Sequence, residues 1–185
     1  DLSAKIATHR DDLAALMTAR LDAAVVAADV LAPYRDALAA SFASLRGRRI
    51  EVQRVHGDFH LGQTLRSPVG WTIIDFEGEP AKTAAERRAF DSVWRDVAGM
   101  LRSFDYSRSA HTEPGSDTAR AWARQAVSAF REGYCGTTGG PADLLAAYET
   151  DKAVYEVVYE MRNRPDWVTI PLRAVADLAA SASGE

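Results

Sequence analysis

With a single cysteine, Cys135, the chain can form no internal disulfide, and a reducing compartment is the simpler setting. No Cys/His spacing suited to a structural zinc occurs either. Lysine is scarce: Lys5, Lys82 and Lys152 are the only three. Lys and Arg total 22 against 26 Asp and Glu, a net charge of −4 with no basic block, which argues against a nucleic-acid surface. No apolar run approaches membrane-spanning length, and the N-terminus shows no charged-then-apolar leader, so a cytoplasmic protein with no membrane partner is expected. A Gly-x-Gly-x-x-Gly phosphate loop is missing as well.

What is present is an ordinary globular composition, 47% hydrophobic and 26% charged over 185 residues, and that length favours one domain spanning 1–185. The periodicities predict an α+β, mostly helical fold. Leu2, Ile6, Leu13, Leu16, Met17, Leu21 and Val25 are spaced for one amphipathic helix. A second is expected from Pro33, carrying Tyr34, Leu38, Phe42 and Leu45 and ending near Gly47. Residues 48–55 alternate as a short strand, with Ile50 and Val52 on one side. Residues 64–74 read as a β-hairpin turning at Ser67–Gly70. After Pro80 the charged segment TAAERRAFDS, residues 83–92, shows no clear period. A strongly amphipathic helix then holds Val93, Trp94, Val97, Met100, Leu101 and Phe104, and a Ser/Gly/Pro-rich loop is expected over 105–117. Further helices are predicted over 118–131, stopping at Gly133, from Pro141 to about Arg164, and from near Pro171, with 181–185 as a frayed end. Cys135 is read as a small apolar residue near a helix end.

The chemistry concentrates between Arg54 and Pro80, in RVHGDFHLGQTLRSPVGWTIIDFEGEP. Asp58 and Asp75 each stand where a short apolar run meets a glycine-bearing loop, and the intervening hairpin can lay the two loops side by side. Phosphoryl transfer needs a carboxylate that accepts the acceptor hydroxyl's proton, and hard oxygen ligands for the magnesium on the nucleotide phosphates. Asp58 suits the first role; the side-chain oxygen of Gln63 and the carboxylate of Asp75 suit the second. Either Asp alone would pass for a cap or a solvated group, but the pair around a hairpin is less well explained that way. If its segment is extended, Glu77 falls on the same side as Asp75 and could help bind a second metal or a water; a salt bridge or loop hydrogen bond explains it equally well. His56 reads as a brace for the loop rather than a base. His60 is open between a loop hydrogen bond and a substrate contact, with a structural role favoured. Asp96 begins a helix, where an N-cap role, a tether for the Asp58 loop, or both are expected.

HGDFHLGQ followed by IDFEGEP resembles the catalytic and metal-binding loops of the aminoglycoside-phosphotransferase-like kinases, relatives of the protein-kinase fold. Gln63 stands where that superfamily usually has Asn. With the DFEGEP ending, and with RDVAGMLRSFDY and AYETDKAVYEVVYEMRNRPDW further on, the pattern is similar to that of the bacterial maltokinases. The resemblance covers most of residues 54–167. It implies Asp58 as catalytic base, Gln63 and Asp75 as Mg²⁺ ligands, ATP as phosphoryl donor and maltose as acceptor, giving maltose 1-phosphate for α-glucan synthesis. It also implies fusion to, or association with, a trehalose synthase in some relatives.

Lys152, Tyr155, Glu156, Tyr159, Asn163 and Arg164 follow helical steps, with Trp167 just beyond Pro165. Such a face suits sugar hydroxyls and a ring face, and the resemblance places acceptor recognition there, beside Asp58; a partly solvated packing face is the plainer alternative. None of the three lysines lies in a credible early strand. The expectation is therefore the C-terminal lobe of a kinase, with the N-terminal nucleotide lobe absent from this chain and little activity in the fragment alone. A glucosamine kinase using the same loops is the near alternative, and a non-catalytic kinase-like binding module the distant one.

Overall fold

The structure, a computed structural model, describes residues 6–9, 13–79, 82–136 and 140–183. In chain order the elements are β1 (Ile6–His9), α1 (Leu13–Ala27), a 3-10 turn (Asp29–Tyr34), α2 (Arg35–Ala43) and β2 (Arg49–Val52). There follow a 3-10 turn (Leu61–Gln63), β3 (Thr64–Ser67), β4 (Gly70–Ile73), α3 (Ala84–Arg88), α4 (Val93–Ser109) and α5 (Asp117–Cys135). The chain ends in α6 (Ala142–Asn163), a 3-10 turn (Pro165–Trp167) and α7 (Thr169–Ser183). It divides into two compact units, Asp1–Thr8 with Ile50–Gly140, and His9–Arg49 with Pro141–Glu185. None of the described helices is long and apolar enough to cross a membrane.

The second unit is helical. Leu13, Met17, Leu21 and Ala24 repeat at three- and four-residue steps and are all buried, so α1 has one inward face. It packs on α2, which buries Leu38 and Phe42, and on α6, which buries Leu145, Tyr148, Ala153 and Val157; α7 adds Ile170 and Val175. Arg20 of α1 grips Asp151 of α6 in a two-pronged pair at 2.8 and 2.7 Å. Both ends of that pair are partly exposed, so apolar burial, not this bridge, holds the helices together.

The first unit is α+β. Gln53 and Asp91 exchange backbone hydrogen bonds at 2.9 and 3.0 Å, which ties the end of β2 to the entrance of α4. The expected hairpin is there, with Thr64 opposite Ile73 and Ser67 opposite Gly70. α4 buries Val97, Ala98, Met100, Leu101 and Phe104, and α5 leans on it through rings: Phe104 meets Trp122 and Phe130, and Trp94 meets Tyr134.

Several boundaries differ from the expectation. Ile6–His9 forms a strand paired with β2 rather than the start of the first helix, because the ladder satisfies backbone groups that a helix there would have to pair internally; Leu2 lies outside the described residues. The second helix begins at Arg35, with Pro33 inside the preceding 3-10 turn that buries Leu31. The aperiodic segment after Pro80 contains α3, nucleated by a capping box: Thr83 accepts from the Glu86 amide while the Glu86 carboxylate accepts from the Thr83 amide. Residues 105–109 continue α4, where Asp105 pairs with Arg102 and Arg108, so the loop starts only at Ala110; Arg108 also donates to the Pro114 carbonyl. α5 runs through Gly133 and stops at Gly136, whose φ of +61° suits a helix end. α7 continues to Ser183, past the expected fraying point.

Candidate active site

The loop after β2 is held by α4. Both Asp96 carboxylate oxygens accept backbone amides of that loop, from His56 at 2.7 Å and Gly57 at 2.8 Å. Ser103 Oγ accepts the Leu61 amide at 3.1 Å. Between them on the same helix face, Gly99 lets the Phe59 carbonyl come so close that a Cβ would lie 2.6 Å from its oxygen. Asp96 is thus the tether, while the cap of α4 is Ser92, whose hydroxyl accepts from the Trp94 amide. Burial pushes the Asp96 carboxyl above its usual range, against the opposing pull of the Gly57 and His56 amides and the Arg95 charge.

His56 is buried, and its ring is committed on both nitrogens. Nδ1 accepts the Asp58 amide at 3.4 Å and Nε2 donates to the Ile74 carbonyl at 2.8 Å. The tautomer protonated on Nε2 satisfies both bonds, leaving no lone pair for a substrate, which makes His56 a brace. The bond to Ile74 also ties the Asp58 loop to the residue before Asp75. Phe59 and Phe76 flank the ring, with centroids 5.6 and 4.8 Å away.

Asp58 keeps its side chain partly open, with His60 Nε2 at 3.9 Å from its Oδ2. His60 Nδ1 accepts from the Gly62 amide, capping the 3-10 turn that presents Gln63, so the loop hydrogen bond expected of His60 is present. Gln63 Nε2 donates to Asp75 Oδ2 at 3.1 Å, and the Gln63 carbonyl accepts the Ile74 amide at 3.0 Å. The hairpin thus brings the two loops together. Asp75 has φ +61°, alone among described non-glycine residues in that region. Such a backbone costs about 1–3 kcal/mol and persists only where the surroundings hold it.

Glu77 departs from its premise. Phe76 and Glu77 form a turn, so the alternation that would put Glu77 beside Asp75 does not apply, and its side chain is exposed. No described cluster of three or more His, Cys, Asp or Glu side chains could hold a metal by itself. The Gln63 amide faces the Asp75 carboxylate with its Nε2; with that amide turned to present its oxygen, the pair at this open edge fits Mg²⁺, which commonly takes one or two carboxylates and completes its shell with phosphates and water.

Sequence reasoning passed over Arg95, Glu79, Gly99 and Ser103. Arg95 Nη2 donates to the Gly57 carbonyl at 2.9 Å and lies 3.4 Å from Glu79, whose carboxylate is buried and also meets Lys82 Nζ at 2.6 Å. The available signal was the helical step joining Asp96, Gly99 and Ser103 on α4: two polar residues and a glycine on an otherwise apolar stretch.

In the helical unit the expected acceptor residues form a ladder. Lys152 Nζ sits 5.0 Å above the Tyr155 ring, Tyr155 stacks on Tyr159 at 6.1 Å, and Arg164 lies over both Tyr159 (5.6 Å) and Trp167 (4.9 Å). Asn163 spends its amide on the Tyr159 carbonyl of its own helix. Glu156 is buried. Glu160, not foreseen, is 1% exposed and holds Arg164 at 2.8 and 2.6 Å.

No protein-family model matches the chain. The glucosamine kinase of Streptacidiphilus jiangxiensis is 34% identical over 137 residues, which make up 67% of this chain and 31% of that protein. The glucosamine kinase of Mycolicibacterium smegmatis is 29% identical over 160 residues, 72% of this chain and 40% of that one. A glucosamine kinase crystal structure (crystal form B) superposes with a TM-score of 0.77 at 28% identity, covering 89% of this chain and 45% of the other. A glucosamine kinase in complex with glucosamine, ADP and inorganic phosphate gives 0.76 at 28% identity, covering 89% and 43%. The chain has a kinase-like fold. It spans less than half the length of these glucosamine kinases.

Proposed function

We propose that this chain is the acceptor-side, C-terminal lobe of an ATP- and Mg²⁺-dependent sugar kinase whose acceptor is glucosamine. The observation that carries phosphoryl transfer is the meeting of Gln63 and Asp75 at 3.1 Å on loops braced to that of Asp58. Asp58 accepts the proton of the sugar hydroxyl and aligns its oxygen with the terminal phosphate. Gln63, through its side-chain oxygen, and Asp75 would hold Mg²⁺, which would supply neutralisation of the phosphate charge when bound.

The choice of glucosamine over maltose rests on the relatives, which are glucosamine kinases, one solved with glucosamine and ADP. Maltose, a link to α-glucan synthesis and a trehalose synthase partner rest on motif resemblance alone. The α6 face supports a sugar acceptor as well: the stacked Tyr155 and Tyr159 rings, with Trp167 just beyond under Arg164, suit the face of a hydroxylated ring. An N-terminal lobe bringing the phosphate-binding lysine completes the site in this reading. Exposed Leu65, Trp71, Ile73 and Phe76, on and after the hairpin, are apolar surface such a lobe and a nucleotide base would cover. The test is turnover by the full-length protein with Mg-ATP and glucosamine, maltose or glucose. Glucosamine is expected to be the preferred acceptor; turnover of maltose alone would return the reading to a maltokinase.

A further inference from the structure

We propose that Arg95 is a positioning residue that locks the base loop to the metal loop through Glu79, an inference that rests on the sugar-kinase reading above. The two loops cross backbone on backbone: a Cβ on Gly57 would lie 3.6 Å from the Gly78 Cα, with φ +85° and +78° at the two glycines. The Arg95 guanidinium sits at that crossing. Nη2 donates to the Gly57 carbonyl, one residue before Asp58, and reaches the Glu79 carboxylate, four residues after Asp75. Nη1 is 3.6 Å from Asp91 Oδ2, which holds the guanidinium from a third side. A carboxylate as buried as Glu79 needs cationic partners, and Arg95 and Lys82 supply them.

Asp75 therefore lies between two anchors. Upstream, His56 Nε2 grips the Ile74 carbonyl; downstream, Arg95 grips Glu79. A non-glycine residue at φ +61° relaxes when its neighbours are released, and the metal-binding carboxylate moves with it. Arg95 touches neither metal nor substrate in this scheme. It sets the distance between Asp58 and Asp75 by holding both loops with one rigid, planar group, a task an ammonium performs poorly.

The experiment uses the full-length protein with Arg95→Gln, Arg95→Lys, Glu79→Gln and the Arg95→Gln/Glu79→Gln double variant. Steady-state turnover of glucosamine is followed over a Mg²⁺ titration, and amide hydrogen exchange over residues 56–61 and 75–79. Arg95→Gln is expected to lower kcat about 10- to 100-fold and to raise the Mg²⁺ needed for half-maximal rate, with the sugar KM within about twofold. Arg95→Lys recovers part of kcat, the double variant is no worse than the weaker single, and exchange quickens in both loops of Arg95→Gln. A kcat within about twofold of wild type in Arg95→Gln, penalties that multiply in the double variant, or exchange quickened in only one loop would each overturn the proposal. If wild type phosphorylates none of the sugars, the kinase reading falls; the exchange measurement needs no turnover and still decides whether Arg95 couples the loops.

Discussion

The proposed base-and-metal edge and the α6 face are built on opposite plans. At the edge, loops carry the proposed chemistry and a helix holds them: Asp96, Gly99 and Ser103 of α4 engage backbone groups of residues 56–61, and His56 passes the restraint on to Ile74. On α6 the regular helix carries the functional candidates itself, and side chains hold side chains through stacked rings and cations. Loops can reach the strained geometry that Asp75 adopts, but only with help from elsewhere. A helix needs no help to present a face, and its side chains can be exchanged with little structural penalty. Damage at the edge should therefore appear in kcat, and damage on α6 in KM.

The largest effect tests the edge itself. Asp58→Asn keeps size and hydrogen bonding but cannot take a proton, and kcat for glucosamine is expected to fall about 10²–10⁴-fold with the sugar KM little changed. Near-normal turnover would remove Asp58 from the base role. Gly99→Ala comes next, although it lies on a helix and touches no ligand. Its Cβ would meet the Phe59 carbonyl at 2.6 Å, so loop or helix must shift, with a stability loss of about 1–3 kcal/mol and a kcat loss of about 10²-fold. A variant with unchanged kcat and unfolding midpoint would show that the loop has slack, and the contrast between the two regions would weaken.

On the other side of the comparison, Trp167→Ala removes an exposed ring that lies under Arg164. Stability should change by less than about 1 kcal/mol, while the glucosamine KM rises about 10-fold at nearly constant kcat. A fall in kcat with KM unchanged would place this segment in the chemistry rather than in acceptor recognition.

The two plans differ in how far the sequence reveals them. The α6 ladder follows from spacing alone, since residues three and four apart share a helix face; Lys152, Tyr155 and Tyr159 could be read directly. The hairpin was legible too, and through it the meeting of Gln63 with Asp75 across twelve residues. What holds the edge was not. Asp96 and Arg95 act on residues about forty positions earlier, and no local pattern announces a hydrogen bond over that separation. Glu79 looks like a solvated loop acid until its burial is known. The turn at Phe76–Glu77 overrode an alternation that the sequence permits, because Asp75 enters the left-handed region just before it. α3 was missed for a different reason: its Thr83/Glu86 capping box was readable, but AAERR has no apolar stripe to draw attention to it. β1 was misread because four residues at helical spacing from Leu13 cannot be told from a strand until β2 claims them.

The smallest expected effect concerns the cost of holding a loop with a buried carboxylate. Burial raises the Asp96 carboxyl above the ordinary 3.8, so the folded protein binds that proton more tightly than the unfolded chain. Between 3.8 and the raised value, the native state holds more protons than the unfolded state, and stability falls as pH rises. Asp96→Asn has no such proton. The unfolding free energy of wild type minus that of the variant should therefore decline as pH climbs through this window and level off above it. The variant itself has one amide oxygen where the carboxylate offers two, so it can satisfy only one of the His56 and Gly57 amides well and should lose kcat at every pH. Urea unfolding from pH 4 to pH 8 measures the first effect and turnover the second. A difference that grows with pH would mean that the two backbone amides outweigh burial and depress the Asp96 carboxyl. The charged tether would then stabilise the edge as well as position it, and the loop would be held more cheaply than its burial implies.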